Sequence, residues 1–363
     1  MTTTDQQQRQ FPCKQCGAML QFHPGQASLV CPYCKAENAI AVSLEAIEEI
    51  DFFAALANRC EADATREALT VKCNTCSAES TLERDTVAGT CPFCGQPIVA
   101  EAASRRSIKP RSLLPFRITD QQAKDAFRQW ISSRWFAPSG LSRFAERGGL
   151  RGVYIPYWTY DCNTISDYTG ERGEDYTETE TYTTVENGQT VTRTRTVTKT
   201  RWWPVSGRVY NSFDDLLIPA SESLPPKYTR KLEPWDLENL VPYTDDYLAG
   251  FVAESYQLGL EQGFEQAKAV MDPVIRQTIC RDIGGDHQRI HSVRTHYRDI
   301  TFKHLLLPLW LSAYRYRENT YRFLVNARTG QVTGERPYSF WKIFFLVMTV
   351  LAAILTIVIL ANR

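Results

Sequence analysis

Two stretches of the chain repeat one cysteine pattern: Cys31–Ile40 reads CPYCKAENAI and Cys91–Ala100 reads CPFCGQPIVA. Each stretch follows a further C-x2-C pair, so both copies have the form C-x2-C-x14-C-x2-C. Every cysteine of the second copy lies 60 residues after its counterpart (for the leading pair, 73 − 13 = 60). Two copies with the same internal spacing indicate an inherited duplication. The two quartets are Cys13, Cys16, Cys31, Cys34 and Cys73, Cys76, Cys91, Cys94.

These quartets have the chemistry of metal sites. Two cysteines separated by two residues place both thiolates on one tight turn, and Pro32 and Pro92 fix the backbone angle in two of the four turns. The first ten residues are polar and resemble no secretory signal, so we expect reduced thiols rather than disulfides. Four thiolates form a tetrahedral shell that suits zinc and leaves no position open for a reacting water. The sequence therefore predicts two structural Zn²⁺ ions, in zinc ribbon 1 (11–40) and zinc ribbon 2 (71–100).

Zinc ribbons often bind nucleic acid, and local charge separates that alternative from protein docking. The first ribbon has a net charge of +1, the second −1, and the connector 41–70 holds seven acidic residues against Arg59 and Arg66. The whole chain is neutral, with 41 basic and 41 acidic residues. Nucleic-acid binders are normally basic because phosphate contacts provide most of their affinity. The charges favour protein docking over nucleic-acid binding, which stays as the alternative.

A long apolar segment lies near the end of the chain. Residues 343–361 read IFFLVMTVLAAILTIVILA and contain no charge. Such a helix is about 28 Å long, close to the thickness of the bilayer core. Trp341 and Lys342 precede it as interfacial residues do, so we predict a transmembrane helix over 341–361. More basic residues lie before the span than after it, which predicts a single-pass membrane protein with its N-terminal bulk in the cytoplasm.

The remaining residues predict the following units. Residues 1–10 form a disordered tail, 41–70 a helical connector, and 101–118 a basic linker. Residues 119–340 form an α+β cytoplasmic domain, in which Thr119 and Gln122 make a capping box for a helix. A second helix is expected from about Asp245 to Cys280. The predicted fold class is multidomain: two small four-cysteine zinc ribbons, an α+β domain with an antiparallel sheet and a long hairpin, and a C-terminal transmembrane helix.

The long hairpin is predicted around Asn187-Gly188, a strong turn signal. If residue 186 faces residue 189, Thr177 faces Thr198 and one face of the hairpin is nearly all threonine. The other face then sets Glu180 against Arg195. Neither face is apolar, so the hairpin should project into solvent, either as a plain ribbon or as an arm that pairs with another chain.

No catalytic machinery is visible in the sequence. It has no G-x4-GK[ST] loop, no G-x-G-x-x-G, no H-E-x-x-H and no G-x-S-x-G. The histidines from His287 to His304 lie on a segment that alternates like a strand, so they should not converge on a metal. We therefore expect a protein that is not an enzyme.

Several further motifs, together with the ribbons and the span, resemble one bacterial family of membrane-anchored double zinc-ribbon proteins. These are the TFIIB-type zinc ribbon-containing proteins, often labelled primosomal protein N′ (replication factor Y), superfamily II helicase. The motifs are VYIPYW, RWWPVSG, FDDLLIPAS, YLAGF, LLLPLW and LVNARTGQVTGERP. The resemblance implies an adaptor that docks cytosolic partners at the bacterial inner membrane, including SPFH-domain and phage-shock-protein-A-like proteins. The alternative is a membrane-tethered nucleic-acid-binding or helicase-related factor, although the ATPase motifs of a helicase are missing.

Overall fold

The structure, a computed structural model, describes residues 11–26, 28–41, 46–57, 65–73, 78–81, 88–91, 93, 96–99, 103–138, 141, 149–186, 189–316 and 319–361. Cys76, Cys94, the predicted tail and the Asn187-Gly188 turn lie outside these residues. The helices are α1 (Phe52–Ala57), α2 (Asp120–Ser132), α3 (Pro226–Thr229), α4 (Leu260–Ile283) and α5 (Phe340–Ala361). Short 3-10 turns cover Arg230–Leu232, Leu237–Asn239 and Asp245–Leu248.

The strands form one large sheet and three small ones within the described residues. The small sheets contain β1 (Gln21–Phe22), β2 (Ser28–Val30), β3 (Glu37–Ala39), β5 (Thr65–Lys72), β6 (Glu79–Thr81), β7 (Ala88–Thr90), β8 (Pro97–Val99) and β9 (Ala103–Ile108). The large sheet contains β4 (Ile50–Asp51), β10 (Ser112–Leu113), β11 (Arg151–Glu186), β12 (Gln189–Pro219), β13 (Val241–Pro242), β14 (Val252–Ala253), β15 (His287–Tyr316), β16 (Asn319–Asn326) and β17 (Val332–Gly334).

Three long strands form the centre of the large sheet. β11 lies between β12 and β15 and is antiparallel to both. The other edge of β15 is shared by three short partners: β4 at residues 301–302, β10 at 305–306 and β16 at 309–316. The predicted antiparallel sheet with a long hairpin is therefore confirmed.

The register of the hairpin agrees with the prediction. Thr177 pairs with Thr198, and Glu180 pairs with Arg195 in an ion pair of 3.2 Å. β15 ends its pairing with β11 at Gly173, so the hairpin continues beyond that point as a two-stranded ribbon. The two arms of this ribbon are residues 174–186 and 189–201. Each arm extends for about 40 Å, since a strand rises about 3.3 Å per residue.

Shortening this ribbon should leave the body folded. We expect a protein in which Thr177–Thr198 is replaced by Asn-Gly, joining the paired residues Tyr176 and Lys199, to unfold within about 1 kcal/mol of wild type. The reason is that the removed arms pair with each other and not with the rest of the sheet. Urea unfolding of the detergent-solubilised protein measures this. A loss of several kcal/mol would mean that the ribbon supports the core.

The two cysteine modules pack on opposite faces of the large sheet. Alternate residues of β11 point to opposite sides. On one face, Tyr154 shares an apolar cluster with Cys31 of the first quartet. On the other face, Val153 shares a cluster with Cys91 of the second quartet. The sheet is thus the common platform of both modules.

Two segments between the predicted domains are folded differently from the prediction. Among the described residues of the connector 41–70, the helix covers only α1, because Ile50 pairs with Phe302 at the sheet edge and β5 begins at Thr65. The stretch predicted as a linker, 101–118, supplies β9 and β10, and its Leu114 and Phe116 are fully buried. The apolar side chains near its C-terminal end hold this stretch in the core, since burying each of them contributes about 1.5–3 kcal/mol.

The helix predicted from Asp245 begins only at Leu260. Val252 falls inside the predicted helix but lies in β14, which pairs with β11. Gly250, with a φ of 87°, turns the chain into this strand. The predicted start of the first helix is confirmed, since Thr119 and Gln122 form the capping box of α2.

Candidate metal centre and membrane face

The first cysteine quartet is held by two equivalent turns. In the first turn the N–H of Cys13 donates to the carbonyl of Ala18 at 2.7 Å. In the second, the N–H of Cys31 donates to Ala36 at 2.9 Å. Both turns have a positive φ directly after their second cysteine, at Gly17 (74°) and at Lys35 (61°). This backbone shape directs both sulfurs of each turn to the same side.

The four sulfur atoms of this quartet form one cluster. Cys13 Sγ lies 3.4 Å from Cys34 Sγ, and Cys16 Sγ lies 3.5 Å from Cys31 Sγ. All four lie within 4.8 Å of one another. A tetrahedral site with zinc–sulfur bonds of about 2.3 Å places its sulfurs about 3.8 Å apart, so the cluster fits one zinc ion. In the part of the chain that the structure describes, no other group of three ligand-type side chains converges in this way.

The environment of the quartet shifts the pKa values of its thiols in different directions. The backbone N–H of Ala36 acts to lower the pKa of Cys34, but the neighbouring Cys13 thiol and burial raise it above its usual value. The backbone N–H of Cys34 lowers the pKa of Cys31 to about 6, although burial acts in the opposite direction. Cys13 and Cys31 are buried, whereas Cys16 and Cys34 reach the surface. One half of the cluster therefore joins the core, and the other half faces solvent.

The second quartet is described for two of its four cysteines. Cys73 and Cys91 are buried, and their N–H groups donate to Ala78 at 2.9 Å and to Gln96 at 2.8 Å. Each bond spans five residues, like those of the first quartet. The described half of the second quartet therefore makes the same backbone hydrogen bonds as the first.

The two modules differ in the exposure of the aromatic ring that precedes their last cysteine. Tyr33, between Pro32 and Cys34, is 80% exposed. Its counterpart Phe93 is 0% exposed and lies in the cluster of the second module. The same position of the motif thus lies in the core in one copy and at the surface in the other. The sequence shows the aromatic pair but no sign of this difference.

One described helix, α5, is long and apolar enough to cross a membrane. It has 22 residues, a mean hydropathy of 3.1 in its most apolar window, and no buried residue. The body holds its first turn, since the N–H of Ser339 donates to Phe136 O at 2.7 Å and Lys342 Nζ donates to Ala137 O at 2.8 Å. The loop that follows α2 thus lies beside the start of the apolar helix.

The four histidines from His287 to His304 do not converge, as expected. All four lie on β15, where His287 contacts Asp175 at 3.0 Å and His291 approaches Glu171 at 3.6 Å. His304 is buried and contacts the carbonyl of Ile108 at 2.8 Å. Burial lowers the pKa of His304 to about 4, so it is neutral at pH 7.

A buried lysine that the sequence did not point to joins the connector to the sheet. Lys303 Nζ lies 2.7 Å from Asp215 Oδ1 and 3.1 Å from Glu49 Oε1. Thr301 also donates to Glu49, at 2.7 Å. The ammonium group is fully engaged by carboxylates, so this network is a structural clamp rather than a base for catalysis.

Glu254 is the most deeply buried carboxyl group of the described residues, and its pKa is displaced. It is 3% exposed and accepts a hydrogen bond from Ser223 Oγ. Burial raises the pKa of Glu254 to about 8, the Ser223 bond opposes this shift, and Glu79 of the second module adds to it. Glu254 is therefore mostly protonated at neutral pH.

This protonation gives a pH-dependent stability. Between about pH 4.5 and pH 8 the native chain keeps a proton on Glu254 that the unfolded chain releases, so its contribution to stability falls as pH rises. We expect Glu254→Gln to gain about 2 kcal/mol relative to wild type between pH 5.5 and pH 7.5. Urea unfolding of both proteins at the two pH values measures the difference. An equal difference at both pH values would contradict the shifted pKa.

Comparison with known proteins gives one distant similarity and no family. The chain is 28% identical over 262 residues to the Uncharacterized protein YdjG of Bacillus subtilis (strain 168), covering 69% of this chain and 70% of that protein. No family model matches the chain. No solved structure matches it either.

Proposed function

We propose that this chain is a zinc-binding, single-pass membrane adaptor that docks cytosolic protein partners at the bacterial inner membrane and has no enzymatic activity. The observation that carries the proposal is the joining, in one chain, of a closed cluster of four cysteines to a terminal helix fit to cross a membrane. The family that the sequence resembles supplies the class of partner, the SPFH-domain or phage-shock-protein-A-like proteins.

The proposed protein holds two structural zinc ions, one in each of two zinc ribbons. The sulfur geometry of the first quartet supports one ion. For the second ion, the support is the repeated spacing and the repeated five-residue bonds at Cys73 and Cys91. With four thiolates each, both sites are saturated, which fits a role in folding and not in hydrolysis.

The exposed end of the first module is the best candidate for a docking surface. Tyr33 stands at its tip, between two zinc-ligand cysteines that hold its backbone in place. A rigid, exposed aromatic ring is typical of residues that dominate protein–protein contacts. The equivalent tip of the second module is covered, since Phe93 is buried.

We expect Tyr33→Ser to reduce partner capture by about tenfold, since an interface aromatic contributes about 2 kcal/mol when truncated. The assay is cross-linking in intact cells, followed by capture of the full-length protein in detergent and quantification of SPFH-domain or phage-shock-type proteins. Tyr210→Ser is the matched control, because Tyr210 is 66% exposed but lies on β12, in the hairpin. If the Tyr33 and Tyr210 variants captured equal amounts of partner protein, the first module would be ruled out as the docking surface. Nuclease-sensitive capture of nucleic acid would favour the alternative function.

A further inference from the structure

A cleft of about 810 Å³ lies next to the start of the apolar helix. Parts of α2, of the α3 region and of the β16–β17 end of the sheet form its walls. The volume is in the range of small-ligand sites, about 300–1,000 Å³. Among its lining residues are Trp130, Arg134, Lys227, Arg230, Lys231 and Arg336.

The charge of this cleft is strongly positive. Its five basic residues face only two lining carboxylates, Glu233 and Glu335. Within the described residues, none of the five cations is held in an ion pair, and Glu335 instead accepts a bond from Tyr228 at 3.3 Å. Three of the cations lie over aromatic rings: Arg134 is 5.4 Å from the ring centroid of Trp130, Lys227 is 4.7 Å from that of Tyr228, and Arg336 is 5.5 Å from that of Tyr338. The cations are thus positioned without an ion pair, and Glu233 and Glu335 offset only part of their charge.

The cleft also lies where a membrane surface would be. Tyr338, one of its lining residues, comes two residues before α5 and is 64% exposed. Trp341 in the first turn of α5 is exposed as well, and so is Trp135 on the loop that contacts this turn. Exposed tryptophan and tyrosine side chains collect at the level of lipid headgroups. Trp135, more than 200 residues away in sequence, completes this aromatic belt.

We propose that this cleft binds the phosphate headgroup of an anionic phospholipid. The inference rests on α5 spanning the membrane, as the proposed function requires. Arginine and lysine side chains are suited to phosphate, and the cytoplasmic leaflet is rich in anionic lipids. A lipid is favoured over a free phosphate compound because the cleft borders the first turn of the apolar helix, where the headgroup's own acyl chains can lie against α5.

The test uses the full-length protein in detergent micelles with phosphatidylglycerol or phosphatidylcholine added. Tryptophan fluorescence, with Trp130 in the cleft wall, gives the affinity, and native mass spectrometry gives the number of lipids retained. We expect one phosphatidylglycerol bound with about tenfold preference over phosphatidylcholine, and about a tenfold loss for Arg230→Gln/Arg336→Gln.

The control is Arg294→Gln/Arg298→Gln, which removes the same charge. These arginines are exposed on β15 and lie roughly 60 Å along the strand from its membrane end. Equal weakening by both pairs, or no preference for the anionic lipid, would overturn the proposal. Soluble glycerol 3-phosphate binding as tightly as the lipid would also overturn it. Flotation of the same protein with vesicles is scored separately: failure to float contradicts membrane anchoring, whereas floating without lipid preference contradicts the lipid site alone.

Discussion

Cys31→Ser should lose one zinc ion per chain and unfold the first module. Serine is a poor zinc ligand, and the remaining three sulfurs cannot close the tetrahedral shell. In small zinc modules, metal binding provides about 10–16 kcal/mol of the folding free energy. Here Cys31 is also 0% exposed within the core beneath Tyr154, so the new hydroxyl group adds a buried polar atom. We therefore expect a loss of at least several kcal/mol in the first module.

Metal analysis of the purified protein measures the zinc content, and limited proteolysis measures the unfolding. We expect two zinc ions per wild-type chain, one per Cys31→Ser chain, and new cleavage sites within residues 11–40. The control is Cys280→Ser, since Cys280 is a half-buried cysteine on α4, outside both quartets. The Cys280 variant should keep both ions. Wild-type zinc content and protease resistance in Cys31→Ser would contradict a structural role for the metal.

Two arginines in the middle of α5 should release the protein from the membrane. Val350 and Ile354 lie within the apolar helix, and about half of each side chain is exposed. An arginine at the centre of a span costs about 2.5–3.5 kcal/mol, so Val350→Arg/Ile354→Arg should weaken insertion by about 5–7 kcal/mol. Because no residue of α5 is buried in the protein, the cysteine modules and the sheet should stay folded.

Carbonate extraction and vesicle flotation measure this effect. Wild type and the control Val350→Ala/Ile354→Ala should remain in the membrane fraction. The arginine variant should move to the soluble or aggregated fraction with its zinc content unchanged. An arginine variant that stayed in the carbonate-resistant fraction would show that α5 is not the anchor.

Local features of the fold could be predicted because each depends on neighbouring residues. The Asn187-Gly188 signal set the pairing of Thr177 with Thr198, since one turn fixes the register of both arms. The capping box at Thr119 is likewise a contact between residues three apart. The cysteine spacing predicted the convergence of the first quartet for the same reason. Cys76 and Cys94 lie outside the described residues, so the second zinc ion stays a prediction.

Features that depend on distant partners could not be predicted. Ile50 fits a helix face by its spacing, but an open edge of β15 gives it a strand partner some 250 residues away. The linker stretch around Leu114 contains basic residues and therefore looks solvated. It nevertheless joins the sheet, between strands that are distant from it in the sequence. Val252 falls within the predicted helix because its partner on β11, Val153, is not visible in a local pattern.

The same reason explains why no sequence pattern pointed to the basic cleft. Its cations come from the residues after α2, from the α3 region and from the residues after β17, three segments that are far apart in the sequence. The contrast between Tyr33 and Phe93 is similar, since each ring sits in the same local motif and the sheet decides which of them is covered.

The proposed function depends on cysteine quartets that hold zinc in closed, all-sulfur sites and thereby build the modules. X-ray absorption spectroscopy at the zinc edge of the purified full-length protein tests it most directly. We predict four sulfur neighbours per zinc at about 2.3 Å and no nitrogen or oxygen in the first shell. A shell with oxygen or nitrogen ligands, or a folded protein that contains no zinc, would contradict the account.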